Sequence, residues 1–167
     1  MTETIHWAFG GQDDFQLALA RTGRGLCYVG SPGEGLDELK RHCTKRFPGA
    51  QFSHDPQALK DYTASLENLL MGSPPSFSLP FDTVGTDFQQ AIWQALQQIP
   101  HGQTISYSEL AASVGKPQAV RAAGSAVGAN PLLIFIPCHR VIRKSGDVSG
   151  FRGGMPLKRH LLEMEQR

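Results

Sequence analysis

Cysteine is scarce in this chain: three among 167 residues, at positions 27, 43 and 138. An odd number at such wide spacings does not suit a disulfide framework and points to reduced thiols. No Cys-x-x-Cys pair and no Cys/His quartet has zinc spacing, so no structural metal is expected. Long apolar runs near the start are missing as well. The opening "MTETIHWAFGGQDDF" turns polar within ten residues. It therefore predicts neither a secretory leader nor membrane insertion, and a cytoplasmic protein. Internal repeats and low-complexity tracts are also absent. With 40% hydrophobic and 19% charged residues, what remains is an ordinary globular composition of a length that fits one domain or two small ones.

The net charge of +1 conceals an asymmetry. Residues 1–100 carry 7 Lys and Arg against 11 Asp and Glu, and residues 101–167 carry 9 against 4. A basic C-terminal part beside an acidic N-terminal one suggests that the former meets a polyanion, although ordinary surface variation gives the same tally.

Along the chain the pattern changes once. "IHWAFG" and "QLALARTGRGLCYVG" read as strands, with "RTGRG" supplying hairpin glycines. "GLDELKRHCTKRFPG" is an amphipathic helix with Leu36, Leu39 and Cys43 on one face, and "LKDYTASLENLLMG" a second helix. "SPPSFSLPFDTVG" is a connector, because its prolines fix φ and remove donors; "PFDTV" offers one more strand. From Thr86 short helices take over. Thr86 with Gln89, and Ser106 with Glu109, are capping boxes. Phe88, Ile92, Leu96 and Ile99 follow the first at helical spacing. "LAASVG" and "QAVRAAGSAVGAN", separated by "GKP", form a helix-turn-helix signature, with Pro117 expected in the first turn of the second helix. A plain helical hairpin is the alternative. The second helix is thin, since Ala122, Ala123, Gly124, Ser125, Ala126 and Gly128 leave Arg121 as its one long cation. Major-groove readers need several long polar side chains. A thin helix suits either a close approach to a narrow groove or simple helix packing.

The segment "IFIPCHRVIR" places a thiol, an imidazole and a guanidinium at the mouth of an apparent buried strand. A thiol must ionise to attack, and at a pKa of about 8.5 it is mostly protonated at neutral pH. His139 and Arg140 are the residue types that lower it. Neighbours on an extended segment point to opposite sides, so His139 needs a bend at Pro137 or a bridging water. A carboxylate must then hold the imidazole. Glu163 and Glu165 of "PLKRHLLEMEQR" are both candidates, and they fall on different helix faces.

These residues match a known pattern. "IPCHRV", with "GTDFQQAIWQAL", "IPHGQTISYSELAASVGKPQAVRA", "ANP", "SGFRGG" and "KRHLLEMEQ", resembles the O6-alkylguanine-DNA alkyltransferases, closest to bacterial members, and strongly over about residues 80–167. The resemblance implies an α/β N-terminal domain over 1–79, ribonuclease H-like, with a small antiparallel sheet and helices. Residues 80–167 would form a mainly α, helix-turn-helix and winged-helix-like domain. The implied activity is that of a methylated-DNA–protein-cysteine methyltransferase. It flips O6-alkylguanine, and O4-alkylthymine, out of duplex DNA and moves the alkyl group irreversibly to its own cysteine. No cofactor is implied; the partner is damaged double-stranded DNA met through the minor groove, by a monomer.

Residue by residue, the resemblance makes Cys138 the alkyl acceptor, His139 its base through a water, and Glu165, rather than Glu163, the orienting carboxylate. Tyr107 would donate to N3 of the base and crowd the target phosphate. Arg121 would fill the gap in the duplex, and the helix around Ala122, Ala123 and Ala126 would enter the minor groove. Asn130 would tie that helix to the cysteine segment. Leu133, Val141, Val148, Phe151, Arg152 and Lys158 would form the substrate pocket, with the backbone around Cys138 and Val141 offering carbonyls to the guanine amine. Leu133 stands where some members carry proline, and Phe151, Arg152 and Gly154 where others carry tyrosine, serine or tryptophan; both bear on pocket width. The zinc ligands of some animal relatives are not matched by Cys27 and Cys43. Arg140 is read as a tie between the two halves. Alkyltransferase-like proteins, which bind without repair, carry tryptophan in place of the cysteine. A cysteine hydrolase would need an oxyanion hole that the sequence does not offer.

Overall fold

The structure is a computed structural model, and it describes residues 2–12, 14–74, 78–146 and 151–167. They form two compact units, Met1–Thr83 and Val84–Arg167.

The first unit is a four-stranded sheet with helices. Strands β1 (Thr4–Gln12) and β2 (Phe15–Arg21) form an antiparallel hairpin, and β3 (Leu26–Val29) adds antiparallel to β2. Gly11 enters the first turn at φ +99°, and a Cβ there would lie 2.0 Å from the Phe15 carbonyl, so only glycine fits. Helix α1 (Asp37–Arg46) then carries the chain across to β4 (Gln51–His54), which runs parallel to β1. The order is β3-β2-β1-β4, so the sheet is mixed and not antiparallel as expected. The physical reason is the crossover: a helix between two edge strands returns the chain in the same direction. Alternation along β1 sends Ile5 to one face, into a core with Cys27, Tyr28, Leu39 and Cys43. Gly10 faces the other way, against Thr63 and Leu66 of α2 (Pro56–Leu70). Asp55 caps α2 by accepting from the Ala58 N–H at 3.1 Å, with Pro56 in the first turn. Phe81 bridges Leu26, and Asp82 N–H donates to the Leu26 carbonyl at 2.7 Å, which places this segment with the first unit.

The second unit is mainly helical. Helix α3 (Asp87–Gln97) opens on Thr86 and α4 (Tyr107–Ser113) on Ser106, each with both hydrogen bonds of its capping box in place. Helix α5 (Val120–Gly128) follows α4 across a turn in which Gly115 has φ +76°. Pro117 is not in the first turn of α5, as the sequence suggested. It sits in a separate turn closed by Ala119 N–H to the Lys116 carbonyl at 2.9 Å, where a proline presets φ. A 3-10 turn (Cys138–Arg140) leads into β6 (Val141–Ile142), which pairs parallel with β5 (Ile105–Ser106); α6 (Met155–Glu165) completes the unit. Ile92, Trp93, Leu96, Leu110, Ala111, Leu157 and Leu161 form its buried interior. None of the helices among the described residues is long and apolar enough to cross a membrane.

Candidate active site

Beyond α5 the apolar run does not form the strand that its composition suggested. It folds into consecutive tight turns, with Phe135 N–H donating to the Leu133 carbonyl at 2.8 Å, Ile136 to Leu132 at 3.0 Å and Cys138 to Ile136 at 2.7 Å. Ile134, inside the first of these, has φ +75°. A β-branched residue rarely enters that region, and the two-residue closure across it is the rare hand of γ-turn. Asn130 holds the loop in this shape. Its Nδ2 donates to the Ile136 carbonyl at 2.9 Å and, more loosely, to Leu132 at 3.4 Å, while its Oδ1 accepts from Leu132 N–H at 2.9 Å. Strained backbone persists where surrounding bonds overdetermine it. These bonds tie the end of α5 to the cysteine segment.

Pro137 precedes the 3-10 turn with ψ of 64°, and the turn separates the three side chains that follow. All three are buried. Cys138 faces a narrow, largely enclosed cleft lined by Tyr107, Val127, Gly128, Asn130, Leu133, Phe151, Arg152 and Lys158. His139 turns to α6, where its Nε2 lies 2.7 Å from Oε2 of Glu165. Arg140 grips the same carboxylate, Nε to Oε1 at 2.8 Å and Nη2 to Oε2 at 3.1 Å, and donates from Nη1 to the Ile99 carbonyl at 2.9 Å. Among the described residues the hydrogen bonds of Arg140 all lie within Val84–Arg167, and the expectation of a link between the two halves gives way to a narrower job. It fixes Glu165.

The electrostatics follow from that geometry. Burial pushes Glu165 up, but the hydrogen bonds from His139 and Arg140 outweigh it and hold the carboxyl at about 2. It is a carboxylate at any ordinary pH, so Nε2 of His139 carries the proton it shares. Burial lowers the His139 pKa, opposed by Glu165 and reinforced by the charges of Arg140 and Lys158. The imidazole is therefore neutral, with Nδ1 an unprotonated acceptor that has no hydrogen-bond partner among the described residues. Burial raises the Cys138 pKa, while Asn130, Arg152 and Lys158 pull it down. The resting thiol is protonated, and the static groups that favour its ionised form are Asn130, Arg152 and Lys158. Tyr107 is raised too, first by burial and then by the Cys138 charge, with Arg143 opposing.

The remaining expected residues divide. Leu133, Phe151, Arg152 and Lys158 line the cleft, and Arg152 donates to the Asn130 carbonyl at 3.1 Å. Val141 does not line it: its side chain is buried, and its carbonyl accepts from Lys158 Nζ at 2.8 Å. Val148 lies outside the described residues. Arg121 and Ala122 are exposed on α5. Ala123 and Ala126 are not, at 0% and 2% exposure, because helical periodicity turns them with Val127 toward α3 and α4. The outward face of α5 is instead Arg121, Ala122 and Ser125, with Gly128 at its end. Three residues were missed. Val127 and Gly128 line the cleft, and Trp93 donates from Nε1 to the Ala126 carbonyl at 2.9 Å, anchoring α5. The four-residue spacing of Gly124 and Gly128 was the available signal: a Cβ on Gly124 would touch the Tyr107 ring at 3.8 Å.

An inducible methylated-DNA–protein-cysteine methyltransferase of Bacillus subtilis is 44% identical over 98% of this chain and 92% of its own length. The chain belongs to the methylated-DNA–protein-cysteine methyltransferase family. A family model, the DNA-binding domain of 6-O-methylguanine DNA methyltransferase, matches residues 87–167. Among solved structures, the Mycobacterium tuberculosis O6-methylguanine methyltransferase superposes with a TM-score of 0.82 at 36% identity, covering 97% of this chain and 93% of that one. A structure of the mycobacterial protein in complex with DNA gives 0.79 at 36% identity, over 98% and 92%. In this methyltransferase chain, then, the small cleft over a buried thiol sits within the stretch matched by the family's DNA-binding domain.

Proposed function

We propose that this chain is a stoichiometric DNA repair protein that takes the alkyl group of O6-alkylguanine, or of O4-alkylthymine, onto Cys138. The observation that carries this reading is Cys138 on the floor of a narrow cleft, next in sequence to a neutral His139 held by Glu165. A base inside a duplex cannot reach that floor, so the target nucleotide must be flipped out. His139 takes the thiol proton at Nδ1 through a water, and Glu165 stabilises the imidazolium that forms. The S–C bond forms as the O6–C bond breaks, in line, and guanine leaves as an anion. Tyr107, donating to N3, lowers the charge on that leaving group, which then recovers a proton from solvent. The thioether has no route back, so each molecule acts once.

Arg121 enters the duplex in place of the flipped base, on an α5 face slim enough for the minor groove. Asn130 couples α5 to the acceptor loop: its backbone N–H donates to the Val127 carbonyl at 3.2 Å and its side chain bonds Leu132 and Ile136. Lys158 and Arg152 favour the developing thiolate, and Leu133 and Phe151 give the alkyl group an apolar wall. The mixed sheet and helices of the first unit support a ribonuclease H-like reading, and the helix-turn-helix beside the β5–β6 pair supports a winged-helix-like one. The protein is read as a cytoplasmic monomer.

The test is to incubate the protein with duplex DNA containing O6-methylguanine and examine its peptides by mass spectrometry. A methyl group on the Cys138 peptide, absent in Cys138→Ser, is expected; released product with unmodified protein would sink the proposal. In the same assay Arg121→Ala should lose about tenfold or more on duplex substrate and much less on a free O6-alkylguanine base, since only the duplex requires flipping. Equal losses on both would count against its place in the duplex.

A further inference from the structure

A helix leaves the carbonyls of its last turn short of intrahelical partners, and the last turn of α5 borders the cleft. Its carbonyls are satisfied in different ways. Ser125 accepts from the Ala129 N–H at 3.0 Å, and Val127 from the Asn130 N–H at 3.2 Å. The Ala126 carbonyl takes a longer share of that same Ala129 N–H, at 3.2 Å. Its shorter bond comes from another helix, from Nε1 of Trp93 on α3 at 2.9 Å. Both residues are buried, so no water replaces this donor cheaply. The indole is also braced from behind. A Cβ on Gly85 would lie 2.8 Å from Cη2 of Trp93 and 2.9 Å from Cζ3, so the far edge of the ring rests on the backbone just ahead of α3. Trp93 does not line the cleft, but Val127 and Gly128, the two residues that follow Ala126, do. Asn130, which shapes the acceptor loop, comes two positions later.

We propose that Trp93 is a positioning residue for alkyl transfer: by holding the Ala126 carbonyl it sets where the last turn of α5 stands, and with it the wall that seats the extruded base over Cys138. This rests on the repair reading above and adds to it a residue that acts through others. In-line displacement is exacting, and a misplacement of about 1 Å can cost about a hundredfold in rate. One hydrogen bond from a braced ring is a fine adjustment of that order. Arg121 lies in the first turn of α5, more than one turn away from Ala126. Trp93 therefore governs the transfer step more than the capture of DNA.

The experiment uses the full chain as wild type, Trp93→Phe and Gly85→Ala. Trp93→Phe keeps an aromatic ring and removes the N–H. Gly85→Ala keeps the N–H and wedges the ring at its far edge. Neither changes a residue of the cleft. Single-turnover methylation of Cys138 is measured over a range of concentrations of a duplex containing O6-methylguanine, and again with the free O6-methylguanine base. The temperature is one at which circular dichroism shows each variant fully folded. The limiting rate on duplex should fall about tenfold in each variant, as a shift of a few tenths of an ångström would give, with half-saturating DNA within about twofold of wild type. The free base should lose the same factor, because it uses the same wall. A lower melting temperature with an unchanged limiting rate would make Trp93 a packing residue and overturn the proposal. So would a loss seen in half-saturating DNA alone, or on duplex and not on the free base, which would place the effect in DNA docking. Where Trp93→Phe does not fold, Gly85→Ala carries the test by itself. Wild-type methylation in the same series reports on the repair reading separately. A methylated wild type with unslowed variants sinks only the role of Trp93, and an unmethylated wild type sinks the reading beneath it.

Discussion

The two units each bury a carboxylate against arginine, and they use it differently. In the first, Asp82 is held by Thr22, by Arg24 at 3.1 Å, and by Arg46 at 2.6 Å. Burial pushes it up, but these bonds outweigh it and keep the carboxyl low. Its partners are hydroxyl and guanidinium groups that do no proton chemistry near neutral pH, so the cluster only fastens the Phe81 segment to the sheet. In the second, one partner of Glu165 is a histidine whose other ring nitrogen remains an acceptor. That single exchange of residue type is what separates a fastener from the relay proposed above. The cysteines divide likewise. Cys27 and Cys43 lie buried in one core, with Cys27 donating to the Ala20 carbonyl at 3.4 Å and its thiol pushed up by the neighbouring Cys43 and by burial. Cys138 is equally buried but faces Asn130, Arg152 and Lys158 across a cleft.

The largest expected contrast is between thiols. Cys138→Ser should abolish alkyl transfer, while Cys27→Ala/Cys43→Ala should leave methylation of the Cys138 peptide complete; methylation at either N-terminal cysteine would undo the distinction. Next come the carboxylates. Glu165→Gln strands a buried Arg140 and should cost about 3–5 kcal/mol in denaturant unfolding. It should also slow single-turnover transfer by about a hundredfold, the low end for proton-transfer catalysis. Asp82→Asn should cost about 2–3 kcal/mol, less because Arg24 is largely exposed, and leave the rate alone. A rate loss in both would mean that stability and not chemistry is being read.

Acid should reach the second cluster first. Glu165 is lowered from 4.5 to about 2, so its contribution is complete above pH 4.5 and is lost as pH falls toward 2. His139 is lowered from 6.5, so the buried neutral ring is fully stabilising above 6.5 and its contribution is lost as pH falls through its depressed folded value. The acid limb of the transfer rate should therefore have its midpoint below 6.5, measured from single-turnover rates across pH 4.5–8. A midpoint at 6.5 or above would indicate an ordinary, solvated imidazole. The smallest contrast is in helix caps. Thr86→Ala and Asp55→Ala should each cost about 1 kcal/mol, with neither altering transfer to a free base.

Local rules were legible in the sequence wherever a few neighbouring residues decide the outcome. Both capping boxes are of this kind, since Thr86 with Gln89 and Ser106 with Glu109 need only one helical turn to form. The proposed acceptor and its histidine rest on the pattern around them. What depended on tertiary context was not. "QFSH" has no alternation to mark it, and becomes β4 only because β1 offers an edge. "IFIP" has the composition of a strand, but Asn130 bends it into turns from outside the run. The small residues of α5 all suited a groove, and only the packing of α3 and α4 decided that Ala123 and Ala126 face inward. Arg140 was opaque because its meaning lies in Glu165, 25 positions away.

Trp93 has one more consequence. The chain holds two tryptophans, Trp7 in β1 and Trp93 beneath α5. Trp7→Phe would leave a single emitting ring, buried and hydrogen-bonded through its nitrogen to the Ala126 carbonyl. Such a ring is sensitive to the polarity and geometry at that one bond. The protein thus carries its own optical gauge of the helix proposed to enter DNA, and it needs no attached dye.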